Sequence, residues 1–349
     1  MEIPYPFGIG RGCYLYTGEG DTTFGLTCNL TADGTYKTFC YEVQVIGISL
    51  RHGQARVRSD IRSWCYNRTS MSMDENNIWW NDFTDSQFRL SDEDNRFTVI
   101  GCNSLAYVRS ANTGSRYMTG CMATCPGAGR LENGSCSGMG CCQAAIPRGI
   151  NTYEVQFDDR FNTSRTSGFS RCSYAALVEA AAFDFRTTYV TADDFMESTG
   201  GKAPLVLDWV VGKETCREAA RNTTAYMCVS SNSECVDSRN GPGYLCNCSR
   251  GYDGNPYVHD GCQGVFFNSL EILKAPADFI DFLFFFFCKL YYCYLLMHTL
   301  RCSVAKFTYC SSIIMLEILS SDKRILKARL LLLAHAYPAM LCCYIYLQE

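Results

Sequence analysis

Six basic side chains crowd into one short stretch: Arg51, His52, Arg56, Arg58, Arg62 and Arg68, with only Asp60 opposing them. Planar guanidinium groups bind carboxylates through paired hydrogen bonds, so this stretch has the chemistry to hold a polyanion. It stands out locally because residues 1–263 are acidic overall, with 23 Lys/Arg against 29 Asp/Glu. Alternation along a strand would project Arg56, Arg58 and Arg62 from one face. The same pattern also describes a plain solvated strand face. Trp64, Tyr66, Trp79 and Trp80 lie nearby and offer apolar surface for a flat ring to rest on.

No catalytic constellation accompanies this cluster. His52, His259, His298 and His335 are scattered through the chain. Gly8-Ile9-Gly10-Arg11-Gly12 has the glycine content of a phosphate loop, but it follows a proline-rich extended segment and reads as a turn. Asp158-Asp159 and Asp193-Asp194 read as surface turns. The glycine-rich-loop, catalytic-loop and Asp-Phe-Gly signatures of a protein kinase are missing, so the chain is not expected to be an enzyme. No Cys/His array has zinc-finger spacing, and neither a metal nor a cofactor is expected. A formal charge of −4 likewise gives no reason to expect nucleic acid as a partner.

The cysteines set the compartment. Seventeen of the 23 fall within residues 1–262, at varied spacings in loop-rich sequence, which favours disulfides made in an oxidising environment. Six N-glycosylation sequons, at Asn29, Asn67, Asn133, Asn162, Asn222 and Asn247, agree with a secretory route. Met1 and Glu2 run into the first motif without a signal peptide, which suggests a late start or a mature or internal boundary.

These residues need elements to position them. In Ile3-Pro4-Tyr5-Pro6-Phe7-Gly8-Ile9, two prolines favour extended backbone, apolar residues alternate, and Cys13 follows as a fastener. Tyr41, Val43 and Val45 alternate with polar residues, Ile48 and Leu50 resume the pattern, and Arg51-His52-Gly53-Gln54 turns into a second strand around Val57. This predicts a β-hairpin. Residues 66–95 read as a long surface excursion, and Phe97–Cys102 as a return to the core. Residues 120–142 hold Cys121, Cys125, Cys136, Cys141 and Cys142 among glycines, predicting a stapled knot of loops in which Cys141 and Cys142 reach different partners. Tyr153, Val155 and Phe157 form another alternating strand. Residues 172–185 and 205–211 are further buried segments. The fold class is therefore mainly β and disulfide-rich.

The motif Ile-Pro-Tyr-Pro-Phe-Gly-Ile-Gly at residues 3–10, with Gly12-Cys13-Tyr14 and Phe24-Gly25-Leu26-Thr27-Cys28, resembles the opening of the galacturonan-binding extracellular domain of plant wall-associated receptor kinases. The resemblance continues at Ile48-Ser49-Leu50, Gly53–Val57, Cys136–Gln143, Arg171–Ala175 and Leu207-Asp208-Trp209, and covers roughly residues 2–263. It implies a non-catalytic domain over 1–212 that binds acidic cell-wall polysaccharide: pectin, polygalacturonate and its oligogalacturonides. Arg51, His52, Arg56, Arg58, Arg62 and Trp64 are then the candidate ligand-binding residues, on the cell-wall face of the plasma membrane or in a secreted protein.

From Cys216 the spacing changes. Cys216, Cys228, Cys235, Cys246, Cys248 and Cys262, with Gly241-Pro242-Gly243-Tyr244 and Gly251-Tyr252-Asp253-Gly254, resemble an epidermal-growth-factor-like (EGF-like) module over 213–263. Six cysteines allow 15 pairings, and the resemblance selects Cys216–Cys235, Cys228–Cys246 and Cys248–Cys262. Glu214 and Asp237 supply too few oxygens for calcium. Beyond Cys262 the character changes abruptly, and residues 264–349 form a hydrophobic tail outside the resemblance. One reading is a membrane segment over 279–300, flawed by Lys289, which costs about 2.5–3.5 kcal/mol near the bilayer centre. The favoured reading is translated non-coding sequence, such as a retained intron. Val265 sits where the resemblance stops, and valine codons begin with the splice-donor dinucleotide. A fragment of an active receptor serine/threonine kinase and a secreted EGF-like adaptor that binds protein are the alternative functions.

Overall fold

Antiparallel strands dominate, as alternating apolar residues in short runs require. The computed structural model describes residues 1–16, 22–76, 80–110 and 117–265. The tail from 266, including 279–300, lies outside the described residues, as does Trp79; of the Trp80 side chain nothing is described. Strands are numbered in chain order. The first sheet runs in the order β1 (Gly8–Ile9), β2 (Gly25–Leu30), β3 (Tyr36–Cys40), β4 (Val43–Ser49), β5 (Gln54–Asp60), β16 (Lys202–Trp209) and β9 (Phe88–Leu90). The second is β13 (Cys141–Ala144), β10 (Asn95–Ile100), β15 (Cys172–Glu179), β6 (Arg62–Asn67) and β7 (Ser72–Asn76). The third is β12 (Met118–Ala123), β11 (Ser104–Arg109), β14 (Thr152–Phe157) and β8 (Trp80–Asp82). Two ribbons follow, β17 (Ser233–Asp237) with β18 (Tyr244–Cys248) and β19 (Tyr252–Gly254) with β20 (Cys262–Gly264). Helices are single turns or little more: α1 (Thr188–Thr191), α2 (Asp194–Thr199) and α3 (Cys216–Ala219).

The N-terminal motif is held by packing. Phe7 is buried, with ring centroids 5.1 Å from Phe24 and 5.3 Å from Trp209, both edge-on. Cys13 does not fasten it, because that thiol is exposed and unpaired. Strand β15 is buried from Cys172 to Val178 because both of its faces are covered. Ala175 and Leu177 join the main core, while Tyr174, Ala176 and Val178 meet Phe185, Tyr189 and Phe195 around α1 and α2. A strand covered on both sides loses the polar alternation of a half-exposed one.

Two expectations need correction. Residues 66–95 are not simply a surface excursion: they contribute β7, β8 and β9, and Phe88 and Leu90 are buried against β16. Stretch 120–142 is not all loop, since its ends enter β12 and β13. Sparse apolar residues hid these short strands; β8 and β9 find their partners far along the chain, in β14 and β16, whereas β7 and β12 close local hairpins with β6 and β11.

Seven disulfides are present among the described residues: Cys65–Cys172, Cys102–Cys125, Cys121–Cys142, Cys136–Cys141, Cys216–Cys235, Cys228–Cys246 and Cys248–Cys262. Three described thiols stay free: Cys13 and Cys28 are exposed, and Cys40 is buried. Burial pushes the Cys40 thiol up to about 12, which suppresses the reactive thiolate. In the folded protein, Cys40 is expected to alkylate slower than Cys13 and Cys28 by roughly two orders of magnitude or more. Peptide mapping after timed iodoacetamide treatment checks this; equal rates would mean that the β2–β3 edge opens readily.

The EGF-like stretch is packed firmly against the sheets. Asn240, 5% exposed, donates from Nδ2 to the Leu90 carbonyl at 2.8 Å and to Asp208 Oδ2 at 2.7 Å, and its Oδ1 accepts the Gly149 N–H at 2.7 Å. Val211 N–H donates to the Tyr244 carbonyl, and Asn255 Nδ2 to the Tyr5 carbonyl. A Cβ on Gly53 would lie 2.4 Å from a Leu245 methyl, so only glycine lets the β4–β5 turn meet this module so closely.

Candidate functional site

The basic cluster is split by a change of sheet. On β5, Ala55, Val57 and Ser59 point inward and are buried, so Arg56 and Arg58 share the outer face. Ile61, 0% exposed, then turns the chain, its N–H bonded to the Gly201 carbonyl at 2.9 Å. Arg62 begins β6 in the second sheet and is not on the face of Arg56 and Arg58. Its side chain is only 8% exposed and pairs with Glu75 at 2.8 Å. This corrects the single-face reading: strand alternation does not carry through a corner that moves the chain between sheets.

The remaining members differ in how free they are. Arg51 and His52 occupy the exposed β4–β5 turn. Arg51 makes no ion pair among the described residues, and His52 Nδ1 lies 2.9 Å from Ser49 Oγ. Arg56 crosses Gly47, beside the β-bulge in β4, and sends Nε and Nη2 to Glu179 Oε2 at 2.9 and 2.6 Å. Its side chain is still 47% exposed. Arg58 is half-buried and donates to the Thr199 and Lys202 carbonyls at 2.6 and 3.0 Å. Arg68 is exposed and donates to the Ser167 carbonyl. Of the cluster's arginines, Arg51 and Arg68 are therefore exposed with no ion pair among the described residues and Arg56 is half-exposed, and only Arg51 and Arg56 lie beside His52 at the β4–β5 turn. Arg58 and Arg62 are committed to holding structure.

Trp64 is half-buried on β6 and stacks on Phe157, with centroids 5.5 Å apart and an interplanar angle of 27°. That places it toward the third sheet. Arg89, which sequence reading passed over, is half-buried on β9 against Gly241, and burial lowers its pKa. Its opposite residue across the ladder, Asp208, is engaged by Gln54 and Asn240. Only the long-range pairing of β9 with β16 could have revealed Arg89.

The sequon asparagines sit in varied surroundings. Asn29, Asn133 and Asn222 are exposed. Asn67 and Asn162 are half-buried and accept backbone N–H bonds two residues ahead, from Thr69 and Ser164. Asn247 is half-buried on β18. Asp237 Oδ1 accepts the Cys216 N–H at 2.6 Å, so this carboxylate caps α3. No group of three or more metal-ligating side chains is found among the described residues. No described helix is long and apolar enough to cross a membrane.

Comparison with known proteins finds relatives of this chain among plant receptor kinases. Over 266 residues, 76% of this chain, it is 38% identical to wall-associated receptor kinase 2 of Arabidopsis thaliana. The chain is a homologue of the wall-associated receptor kinases, matched in their N-terminal ectodomain region. It is also 33% identical to wall-associated receptor kinase 1 over 268 residues and 32% identical to wall-associated receptor kinase 5 over 271, both of Arabidopsis thaliana and each across 76% of this chain. This homologue spans about a third of the length of those curated relatives (33% in each case). No protein-family model matches it. No solved structure matches it either.

Proposed function

We propose that this chain acts outside the cell as the non-catalytic, ligand-binding part of a wall-associated receptor-like protein, and that its ligand is acidic cell-wall pectin. One observation carries the ligand: the β4–β5 turn presents Arg51 and His52 to solvent beside the half-exposed Arg56, on an otherwise acidic domain. Descent from wall-associated receptors supplies the context. A de-esterified galacturonan offers one carboxylate per sugar, and Arg51 has its whole fork available for one. Arg56 shares its charge with Glu179, so a polymer carboxylate competes with that acid for the outer N–H groups. The EGF-like module borders the same turn through Leu245 and Gly53, so it flanks a chain bound there.

The test compares the full chain with an Arg51→Gln/Arg56→Gln variant on immobilised de-esterified homogalacturonan. Both positions are exposed, so folding is expected to survive, while affinity falls about tenfold and most of the salt sensitivity goes with it. Fully methyl-esterified polymer is expected to bind less well than de-esterified polymer, and without salt sensitivity. Unchanged binding by the folded variant would move the acidic-polymer site elsewhere. Arg62→Gln is the contrasting control. It removes the charge facing Glu75 and is expected to cost about 1–2 kcal/mol of stability with no direct effect on binding.

A further inference from the structure

On the outer side of the third sheet, the strand register places Gly120, Tyr107 and Gln156 in one row across β12, β11 and β14. A Cβ on Gly120 would fall 2.8 Å from Tyr107 Cδ1 and 3.0 Å from Cε1, so the tyrosine ring lies down over the glycine. At its far end the phenol donates to Asp158 Oδ2 at 3.0 Å. Arg160 grips the same carboxylate as a fork, with Nε to Oδ1 at 2.8 Å and Nη2 to Oδ2 at 2.6 Å. The ring is thus held at both ends and has little rotamer freedom left to lose. It lines an open depression of about 500 Å³ with Gln156, Phe157, Asp158, Asp159 and Arg160. Phe157 is itself backed by the stacked Trp64.

We propose that this depression binds an uncharged pyranose chain, with one sugar ring laid on Tyr107. A pyranose has an apolar C–H face and a rim of hydroxyls. The fixed aromatic ring suits the first, and the polar groups around it suit the second. The Gln156 side chain is exposed and has no hydrogen-bond partner among the described residues, so its amide has both donors and an acceptor to offer. The Asp159 carboxylate is exposed and accepts no bond among the described residues, and Arg160, 78% exposed, keeps N–H groups beyond those given to Asp158. Charge decides the class of sugar. Two carboxylates against one guanidinium leave the depression negative, which repels a galacturonate and tolerates a neutral sugar or a methyl-esterified one. The open form suits a chain passing through. This site lies on a different sheet from Arg51 and does not depend on the acidic-pectin reading.

Saturation-transfer NMR on the full chain tests it, with a neutral galacto-oligosaccharide in one arm and a fully methyl-esterified oligogalacturonide in the other to separate the two sources. Transfer to ring C–H protons is expected in at least one arm and is expected to persist in added salt. Tyr107→Ala should reduce it about tenfold in protein that still folds, and Gln156→Ala about threefold at unchanged melting temperature. Tyr107→Phe, which keeps the ring over Gly120, should retain most of it. Should Tyr107→Ala fail to fold, the Gln156→Ala and Tyr107→Phe results decide. Absence of transfer in both arms overturns the proposal, as does transfer abolished by salt, or full transfer in a folded Tyr107→Ala or Gln156→Ala protein.

Discussion

Replacing Cys65 and Cys172 together by alanine is expected to lower stability by about 4–5 kcal/mol, whereas replacing Cys136 and Cys141 costs about 2 kcal/mol. The first disulfide joins directly opposed positions on β6 and β15 and closes a sequence separation of 107; the second closes a separation of 5. A cross-link stabilises chiefly by restricting the unfolded chain, and the restriction grows with the logarithm of loop length. Cys65–Cys172 is also the disulfide that ties the middle of the second sheet, where β15 is buried on both faces. Urea unfolding of both double variants, followed by far-ultraviolet circular dichroism, provides the comparison. Equal losses would show that local packing outweighs loop closure. By the same reasoning, chain made in a reducing compartment is expected to fail to fold.

Asn240→Ala should cost about 3–5 kcal/mol, far more than an exposed asparagine would. Three bonds disappear together: the Gly149 N–H and the Leu90 carbonyl lose their partner, and Asp208 keeps only Gln54 as a side-chain amide donor. The substitution also removes the polar clamp between the EGF-like stretch and β9 and β16, so limited proteolysis between residues 213 and 263 is expected to accelerate. A loss below about 1 kcal/mol would mean that apolar packing of Tyr244, Leu245 and Tyr257 holds this stretch alone. The same network gives stability a pH dependence. Burial, and the nearby Asp94 charge, raise the pKa of Asp208 despite the bonds from Asn240 and Gln54. A carboxyl raised on folding is most stabilising below its unfolded value of about 3.9, and that contribution is lost as pH rises through the folded value. Asp208→Asn should therefore flatten the fall in melting temperature across the weakly acidic range.

Much of this molecule is legible in its sequence. Cysteine density with sequons points to an oxidised extracellular fold, because small, loop-rich regions cannot bury enough apolar surface without staples. Alternation of Val43 and Val45, then Ala55 and Val57, around a Gly53 turn specifies a hairpin from local sequence alone, and β4 and β5 form it. Local pattern also identified the basic stretch. What it could not show is where each guanidinium goes. Ile61 moves the chain from one sheet to another, which buries Arg62 beside Glu75, and Glu179 reaches Arg56 from a strand 123 residues away. Trp64 leaves the cluster to stack on Phe157, and Tyr107 meets Gly120 only when β11 pairs with β12. Composition and short-range period decide which segments become strands. Which side chains stay free to meet a ligand depends on charges and rings that the pairing and packing of strands bring together, from the next strand for Arg62–Glu75 and Tyr107–Gly120 and from far along the chain for Arg56–Glu179 and Trp64–Phe157, and only the tertiary structure makes those pairs.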